Sequence, residues 1–199
     1  MNTSSITFAL ATLGLVAMSA PAFAQTLTIN KGKSKVSFVS EAPAEKIVGV
    51  AKGVEGTVKI GEDYKSASGT VSVPVKSMNT GNDTRDDHMR SAKWLNAKAN
   101  PNISFVITGL DGANVKTTGD KTVVKATAVG SINVNGVSKP TKAPVVITTL
   151  KKGDKTIAKI QLAFNVKLAD HKVSGTEGVV GNKVGKLIAV KGTLYGSMK

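Results

Sequence analysis

Apolar and polar residues alternate along most of this chain of 199 residues, and this alternation constrains the fold more than any other feature. Successive side chains of a β-strand point to opposite faces, so a period of two predicts strands with one buried and one solvated face. A chain dominated by such runs is predicted to be an all-β protein. The alternating apolar residues fall within residues 36–38, 58–60, 71–75, 103–107, 124–134, 158–166 and 188–194.

Short turns rich in Gly, Asn and Asp separate these runs. Asp111-Gly112 and Asn135-Gly136 are dipeptides that supply the positive φ angles of tight hairpin turns. About eight strands joined by such turns are typical of an antiparallel β-barrel or of a β-sandwich. The alternation fits both architectures.

One segment, near residues 83–97, interrupts the strand pattern and predicts a short helical insertion. Thr84 and Asp87 have the spacing of a capping box, in which side-chain oxygens accept the free N–H groups of the first helical turn. Asp86 and Arg90 are spaced for an ion pair one turn apart. A narrow apolar stripe along this helix is predicted to consist of Met89, Ala92 and Leu95.

Two segments resemble the signature of the YceI-like family. The second is G-S-I-N-V-N-G-V-S-K-P, over residues 130–140, and it is similar to a turn of that family. The first overlaps the predicted helix, and its matching positions are Thr80-Gly81, Arg85-Asp86, His88-Met89-Arg90-Ser91, Trp94, Asn96, Pro101 and Phe105.

This resemblance implies an antiparallel, lipocalin-like β-barrel that binds isoprenoid or other lipid chains, and many members of the family are periplasmic. It therefore favours the barrel over the sandwich. One position departs from the family pattern, because Val50 stands where an aromatic residue is common, and a His of the same region is missing. The departure implies a wider or differently shaped cavity at this end of the barrel.

Residues 1–24 have the pattern of a secretory signal peptide. An apolar run from Ile6 to Met18 precedes Ala22-Phe23-Ala24, which is an A-x-A cleavage site. The segment contains no Lys or Arg, and the alternative is an uncleaved anchor, but a membrane span needs about 20 apolar residues. We predict cleavage after Ala24, a periplasmic location and a single YceI-like β-barrel domain over residues 25–199.

The chain is strongly basic, with 27 Lys and Arg against 13 Asp and Glu, for a net charge of +14. Such a balance favours transient contact with an anionic membrane surface, or an alternative function in which a basic periplasmic stress or surface protein binds anionic polymers or headgroups. The lysines are spread along the chain, and they also fit a solvated barrel surface that resists edge-to-edge pairing. No nucleic-acid partner is expected.

The sequence predicts neither catalysis, nor a metal, nor a cofactor. It has no Cys, which excludes thiol catalysis and zinc sites built on thiolates. The two histidines, His88 and His171, lack the spacing of a metal-binding helix. Asp86 and Asp87 are adjacent, so their carboxylates point to different sides of a helix and cannot flank one substrate bond.

Small residues at alternate positions predict a cavity inside the barrel. Ala126, Ala128, Gly130 and Ala163 leave space that larger side chains would fill. With the family resemblance, they predict a barrel that holds an apolar lipid or isoprenoid chain, and we expect a monomer or a homodimer. Arg85 is predicted to pair at the mouth either with a headgroup or with Asp83 or Asp86. The predicted ligand-binding residues are Phe38, Val71, Val73, Arg85, Trp94, Phe105, Ile107, Ala126, Ala128, Leu162, Phe164 and Val190.

Overall fold

A computed structural model describes residues 25–173, 175 and 182–199. The predicted cleavage site after Ala24 lies outside the described residues. No helix in the described part of the chain has the length and hydrophobicity needed to cross a membrane. The helix α1 is Asp83–Arg90, and the strands are β1 Gln25–Ile29, β2 Lys35–Glu41, β3 Lys46–Lys52, β4 Glu55–Ile60, β5 Ala67–Pro74, β6 Asn102–Thr118, β7 Lys121–Val134, β8 Val137–Lys152, β9 Lys155–Lys167 and β10 Leu187–Met198.

Eight of these strands, β1 and β4 to β10, form a closed antiparallel barrel. Each strand pairs with the next along the sheet, and β1 closes the circle by pairing with β10, with Leu27 opposite Met198. The β2–β3 hairpin lies farther along β10, where Phe38 is opposite Val190. Closure satisfies the backbone groups that an open sheet would leave at its edges. The predicted all-β, lipocalin-like barrel is confirmed.

Burial follows the alternation that the sequence shows. In β9, Ala158, Ile160 and Val166 are buried, whereas the intervening Gln161 is exposed. The prediction that Ala163 faces inward is wrong, because it is exposed on the outer face of the barrel. Its neighbours in sequence, Leu162 and Phe164, face the lumen, and a period of two then places Ala163 outside.

Gly130 does not enlarge the lumen, contrary to the prediction. A Cβ atom at Gly130 would collide with the backbone carbonyl oxygen of Val106 on the neighbouring strand β6. The register between β6 and β7 shifts beside this point, between Ile107 and Gly109. Gly130 therefore permits a close approach of two strands next to a β-bulge, which is a common reason for glycine inside a strand.

The helical insertion is confirmed, but α1 covers only the first part of the predicted segment, and turns follow it up to residue 99. The predicted capping box of Thr84 and Asp87 is wrong, because the side chain of Asn82 caps the helix and accepts from the backbone N–H of Arg85 at 3.0 Å. Asn is as good an N-cap residue as Asp. In the predicted apolar stripe, Leu95 is buried but Ala92 is exposed.

Candidate functional site

The barrel encloses a cavity of about 550 Å³, to which all ten strands contribute side chains. This volume lies within the range of about 300–1,000 Å³ that is typical of small-molecule sites. The inner part of the lining belongs to the larger hydrophobic cluster of the core. Its residues in the lining include Leu27, Val58, Ile60, Ala128, Ala143, Ile147, Ile160 and Leu194.

Polar lining residues are concentrated at one end of the cavity, which we call the mouth. Apart from Ser104, the polar side chains of the described lining come from three segments: the β2–β3 turn region, the segment around α1, and the approach to β10. The mouth is defined by Ser40, Glu45, Thr80, Asn82, Thr84, Arg85, His88 and Lys183. All the ionisable residues of this lining therefore lie at the mouth.

Two aromatic rings meet across the lumen. Phe105 on β6 and Phe164 on β9 are stacked, with ring centroids 6.2 Å apart and an interplanar angle of 22°. Two strands separate β6 from β9 in the sheet, so the rings approach through the interior. Both rings pack against the inner hydrophobic cluster and against a second cluster that includes Met78 and Leu95. The pair therefore marks the junction between the inner cavity and the part that leads to the mouth.

Arg85 joins α1 to the β2–β3 hairpin at the mouth. Its Nη1 donates to Glu45 Oε1 at 2.6 Å, Nε donates to Thr80 Oγ1 at 2.8 Å, and Nη2 donates to the Thr80 carbonyl oxygen at 3.1 Å. The predicted pairing with Asp83 or Asp86 is therefore wrong, and Glu45 provides the neutralising carboxylate. A lining position for Arg85 at the mouth agrees with the prediction.

Asp86 is a buried anchor beneath this contact. Its side chain is only 1% exposed, and it accepts from the hydroxyl of Thr80 at 2.7 Å and from the Thr80 backbone N–H at 3.0 Å. Because these donors occupy Asp86, the predicted ion pair with Arg90 does not form. Arg90 instead donates to the Met78 carbonyl oxygen at 2.8 Å and contacts the exposed carboxylate of Asp87 at 3.4 Å.

Trp94 lies against both the cavity and Gly175. It is half-buried, it lines the cavity, and a Cβ atom at Gly175 would collide with its indole ring. The Gly175 N–H donates to the Lys93 carbonyl oxygen at 2.6 Å, which links Gly175 to the turns after α1.

Of the predicted ligand-binding residues, only Ala126 is not among the described lining residues. It is half-buried and packs against the core cluster. Contact of the others with a ligand remains a prediction. The predicted residues that do line the cavity are Phe38, Val71, Val73, Arg85, Trp94, Phe105, Ile107, Ala128, Leu162, Phe164 and Val190.

Sequence reasoning missed two groups of lining residues. The first comprises strand residues such as Leu27, Ile60 and Ile147, which the alternation could have identified. The second group lies at the mouth and includes Glu45. The residues near Glu45 in the sequence do not predict its position in the lining, because its partner Arg85 is 40 residues away. The implied effect of Val50 on the cavity is wrong, since Val50 points outward, is 39% exposed and does not line the cavity.

The two histidines lie in different surroundings. His171 is buried, and its Nδ1 lies 2.9 Å from the Val137 carbonyl oxygen. His88 is exposed and lines the mouth. Within residues 25–173, 175 and 182–199, no three His, Asp or Glu side chains are grouped so that they could hold a metal ion.

Comparison with known sequences identifies the family. A sequence model described as the YceI-like domain matches residues 27–194, which confirms the resemblance of the two sequence segments. The chain is 28% identical over 151 residues to the protein YceI of Salmonella arizonae, covering 73% of each chain. It is 29% identical over 143 residues to a UPF0312 protein of Pectobacterium atrosepticum, covering 69% of each chain.

Solved structures show the same fold. The crystal structure of BcnA from Burkholderia cenocepacia aligns with a TM-score of 0.64 at 20% identity, over 84% of this chain and 98% of that one. A structure described as a polyisoprenoid binding domain from Saccharophagus degradans aligns with a TM-score of 0.64 at 16% identity, over 87% of this chain and 98% of that one.

Proposed function

Because this chain belongs to the YceI-like family, we propose that it is a non-catalytic periplasmic binding protein that holds an apolar chain, an isoprenoid or another lipid, inside its barrel. The observation that carries the proposal is the division of the cavity into an apolar lumen and a polar mouth. The description of the Saccharophagus degradans domain as polyisoprenoid binding supports it.

The lumen favours a ligand with a long apolar part. Burial of a methylene group contributes about 0.8 kcal/mol without any hydrogen bond, so affinity for such a chain grows with its length. An ionised headgroup would lose its hydration inside this lining, at a cost of several kcal/mol. We therefore expect a ligand to insert its tail past Phe105 and Phe164 and to leave its polar end at the mouth, near Arg85, His88 and Lys183.

The non-catalytic role rests on the same division. Every ionisable side chain of the described lining lies at the mouth, and two of them, Arg85 and Glu45, already form an ion pair. A chain buried beyond the aromatic pair would have no acid, base or charged group within the described lining to act on it.

We also propose export with cleavage after Ala24, and a monomer or homodimer whose basic surface touches anionic membranes transiently.

Competition binding tests this function. Delipidated protein would be titrated with a fluorescent fatty acid, which is then displaced by unlabelled isoprenoid alcohols of increasing length. We expect affinity to rise by about fourfold per buried methylene group until the lumen is filled. A barrel that bound neither the fatty-acid probe nor any of the alcohols would reject the proposal, whereas probe binding that no alcohol displaced would exclude isoprenoids as the ligand.

Salt concentration separates this function from the alternative of a basic surface that binds anionic polymers. We expect the affinity of the uncharged isoprenoid alcohols, measured by displacement of the probe, to stay nearly constant between about 0.05 and 0.5 M NaCl, because burial of an apolar chain is not screened by ions. An affinity that falls steeply with salt would instead favour electrostatic binding on the outer surface.

A further inference from the structure

Five apolar side chains lie next to each other on the outer wall of strands β10, β2 and β3. The register places Ala189 opposite Val39, and Val39 opposite Val48, across the three strands. Val48 is 54% exposed and Leu187 is 53% exposed, although both belong to strands of the same sheet. We call this set the outer apolar face, and it consists of Val39, Val48, Val50, Leu187 and Ala189.

Exposed lysines continue the same face. Lys191 is opposite Ser37, which is in turn opposite Val50, and Lys35 is opposite Lys52. None of these lysines forms an ion pair with an acid among the described residues, so their charge is available to a partner.

One acid, Glu41, also flanks the face, but it is neutralised. Its carboxylate lies 2.6 Å from Lys46 Nζ. The hydrogen bond and the charge of Lys46 hold the pKa of Glu41 below its ordinary value, so the carboxylate stays ionised and paired. The border of the outer apolar face is therefore predominantly positive.

The outer apolar face lies at the same end of the barrel as the mouth. Leu187 begins β10 directly after the approach segment that contributes Lys183 to the mouth. In that segment, the Gly185 N–H donates to the Ser40 hydroxyl oxygen at 2.8 Å, and Ser40 is itself a mouth residue. The β2–β3 hairpin that carries Val39 and Val48 turns around Glu45, the partner of Arg85.

The charge and the size of the outer apolar face distinguish between two partners, a second copy of the chain and the surface of a bilayer. A second copy of the chain would bring lysines of the same sign together, and like charges across an interface oppose association. A stable protein interface also uses about 20–30 residues on each side, far more than the five apolar residues here. A small apolar patch with a basic border suits shallow insertion into an anionic bilayer surface.

We propose that the outer apolar face docks on the headgroup region of a bilayer that contains anionic lipid, and so places the mouth beside the membrane. The apolar side chains enter the interface while Lys35, Lys52 and Lys191 contact anionic headgroups. This position would let an apolar chain pass between bilayer and lumen over a short path. The transfer role rests on the proposed binding function, whereas docking itself does not.

Vesicle flotation tests the docking. The full mature chain would be mixed with vesicles of phosphatidylcholine, with or without phosphatidylglycerol, and the bound fraction measured. We expect binding only when phosphatidylglycerol is present. The triple variant Lys35→Gln, Lys52→Gln and Lys191→Gln should bind about a hundredfold more weakly, because each lysine near an anionic surface contributes about fivefold. Val48→Ser with Leu187→Ser should also weaken binding.

Matched controls carry the same chemical changes at other positions. Lys121→Gln, Lys151→Gln and Lys155→Gln remove the same charge from exposed lysines elsewhere, and Val115→Ser with Ile157→Ser removes two other exposed apolar side chains. These controls should bind like wild type. Equal loss in variants and controls, or no wild-type binding to anionic vesicles, would overturn the proposal. A wild-type dimer in light scattering that Val48→Ser with Leu187→Ser dissociates would also overturn it, in favour of a second copy.

The flotation experiment uses delipidated protein, so its result does not depend on a ligand in the cavity. Loss of docking would therefore leave the fluorescent fatty-acid titration unchanged, and loss of cavity binding would leave flotation unchanged. The two proposals fail separately.

Discussion

At the scale of single residues, two adjacent carboxylates in α1 have opposite environments. Asp86 is buried and accepts two hydrogen bonds from Thr80, whereas the side chain of Asp87 is 79% exposed. Thr80 also accepts from Arg85, so Asp86 supports the residue that holds α1 at the mouth. The sequence could predict that the two carboxylates diverge, because they are neighbours on a helix. It could not predict which of them is buried.

We expect Asp86→Ala to lower the free energy of unfolding by about 1–3 kcal/mol, because it leaves two donors of Thr80 without their acceptor. Asp87→Ala is the matched control, and it should change the free energy of unfolding by less than about 0.5 kcal/mol. Urea denaturation measures both. Equal effects of the two substitutions would contradict the anchoring role of Asp86.

Glycine gives a second prediction at this scale. We expect Gly130→Ala to destabilise the barrel by about 1–3 kcal/mol, because the new methyl group would collide with the Val106 carbonyl oxygen, which belongs to the backbone. Gly109→Ala, in the same bulge, meets open space and should shift stability by less than about 1 kcal/mol. Thermal unfolding measures the stability of both variants. A Gly130→Ala variant as stable as wild type would contradict the close approach of β6 and β7.

At the scale of elements, the strands were predictable and the mouth was not. Alternation is a local signal, and it predicted the inward positions of β7 and β9 because one face of each strand is buried. The contact between α1 and the β2–β3 hairpin is a tertiary one, and nothing near Glu45 in the sequence indicates it. The N-cap was misplaced because Asn82 and Thr84 are both residues that can cap a helix.

The contacts of Arg85 with Thr80 and Glu45 are expected to slow the release of a bound ligand. We expect Arg85→Ala to lower the free energy of unfolding by about 1–3 kcal/mol, since it removes charged hydrogen bonds between α1, Thr80 and Glu45. It should also speed release of a bound fluorescent fatty acid, because α1 is held less firmly at the mouth. Stopped-flow dilution measures the release. Lys98→Ala, at an exposed position after α1, is the control, and release at the same rate in both variants would contradict this role.

At the scale of the whole molecule, the fold and the cavity have one cause. Strands that alternate between apolar and polar residues close into a barrel, and their inward side chains then line a common space. The volume of that space was not predictable from composition. Gly130 allows strands β6 and β7 to approach closely and adds no space to the lumen, and Ala163 faces solvent. Of the small residues that the sequence singled out, Ala128 lines the lumen.

The proposed binding of an apolar chain in the lumen is tested by the amount of lipid that co-purifies with Ala128→Phe, measured by mass spectrometry of an organic extract. Ala128 is 5% exposed and faces the cavity, so a phenyl ring there should occupy the space of the ligand. Ala163→Phe makes the same change on the outer face. We predict that wild type and Ala163→Phe carry an apolar chain, and that Ala128→Phe loses it while its stability changes by less than about 1 kcal/mol. A wild-type protein without lipid, together with a destabilisation of about 1–3 kcal/mol in Ala128→Phe, would mean that side chains fill the barrel and would contradict a lumen that holds an apolar chain.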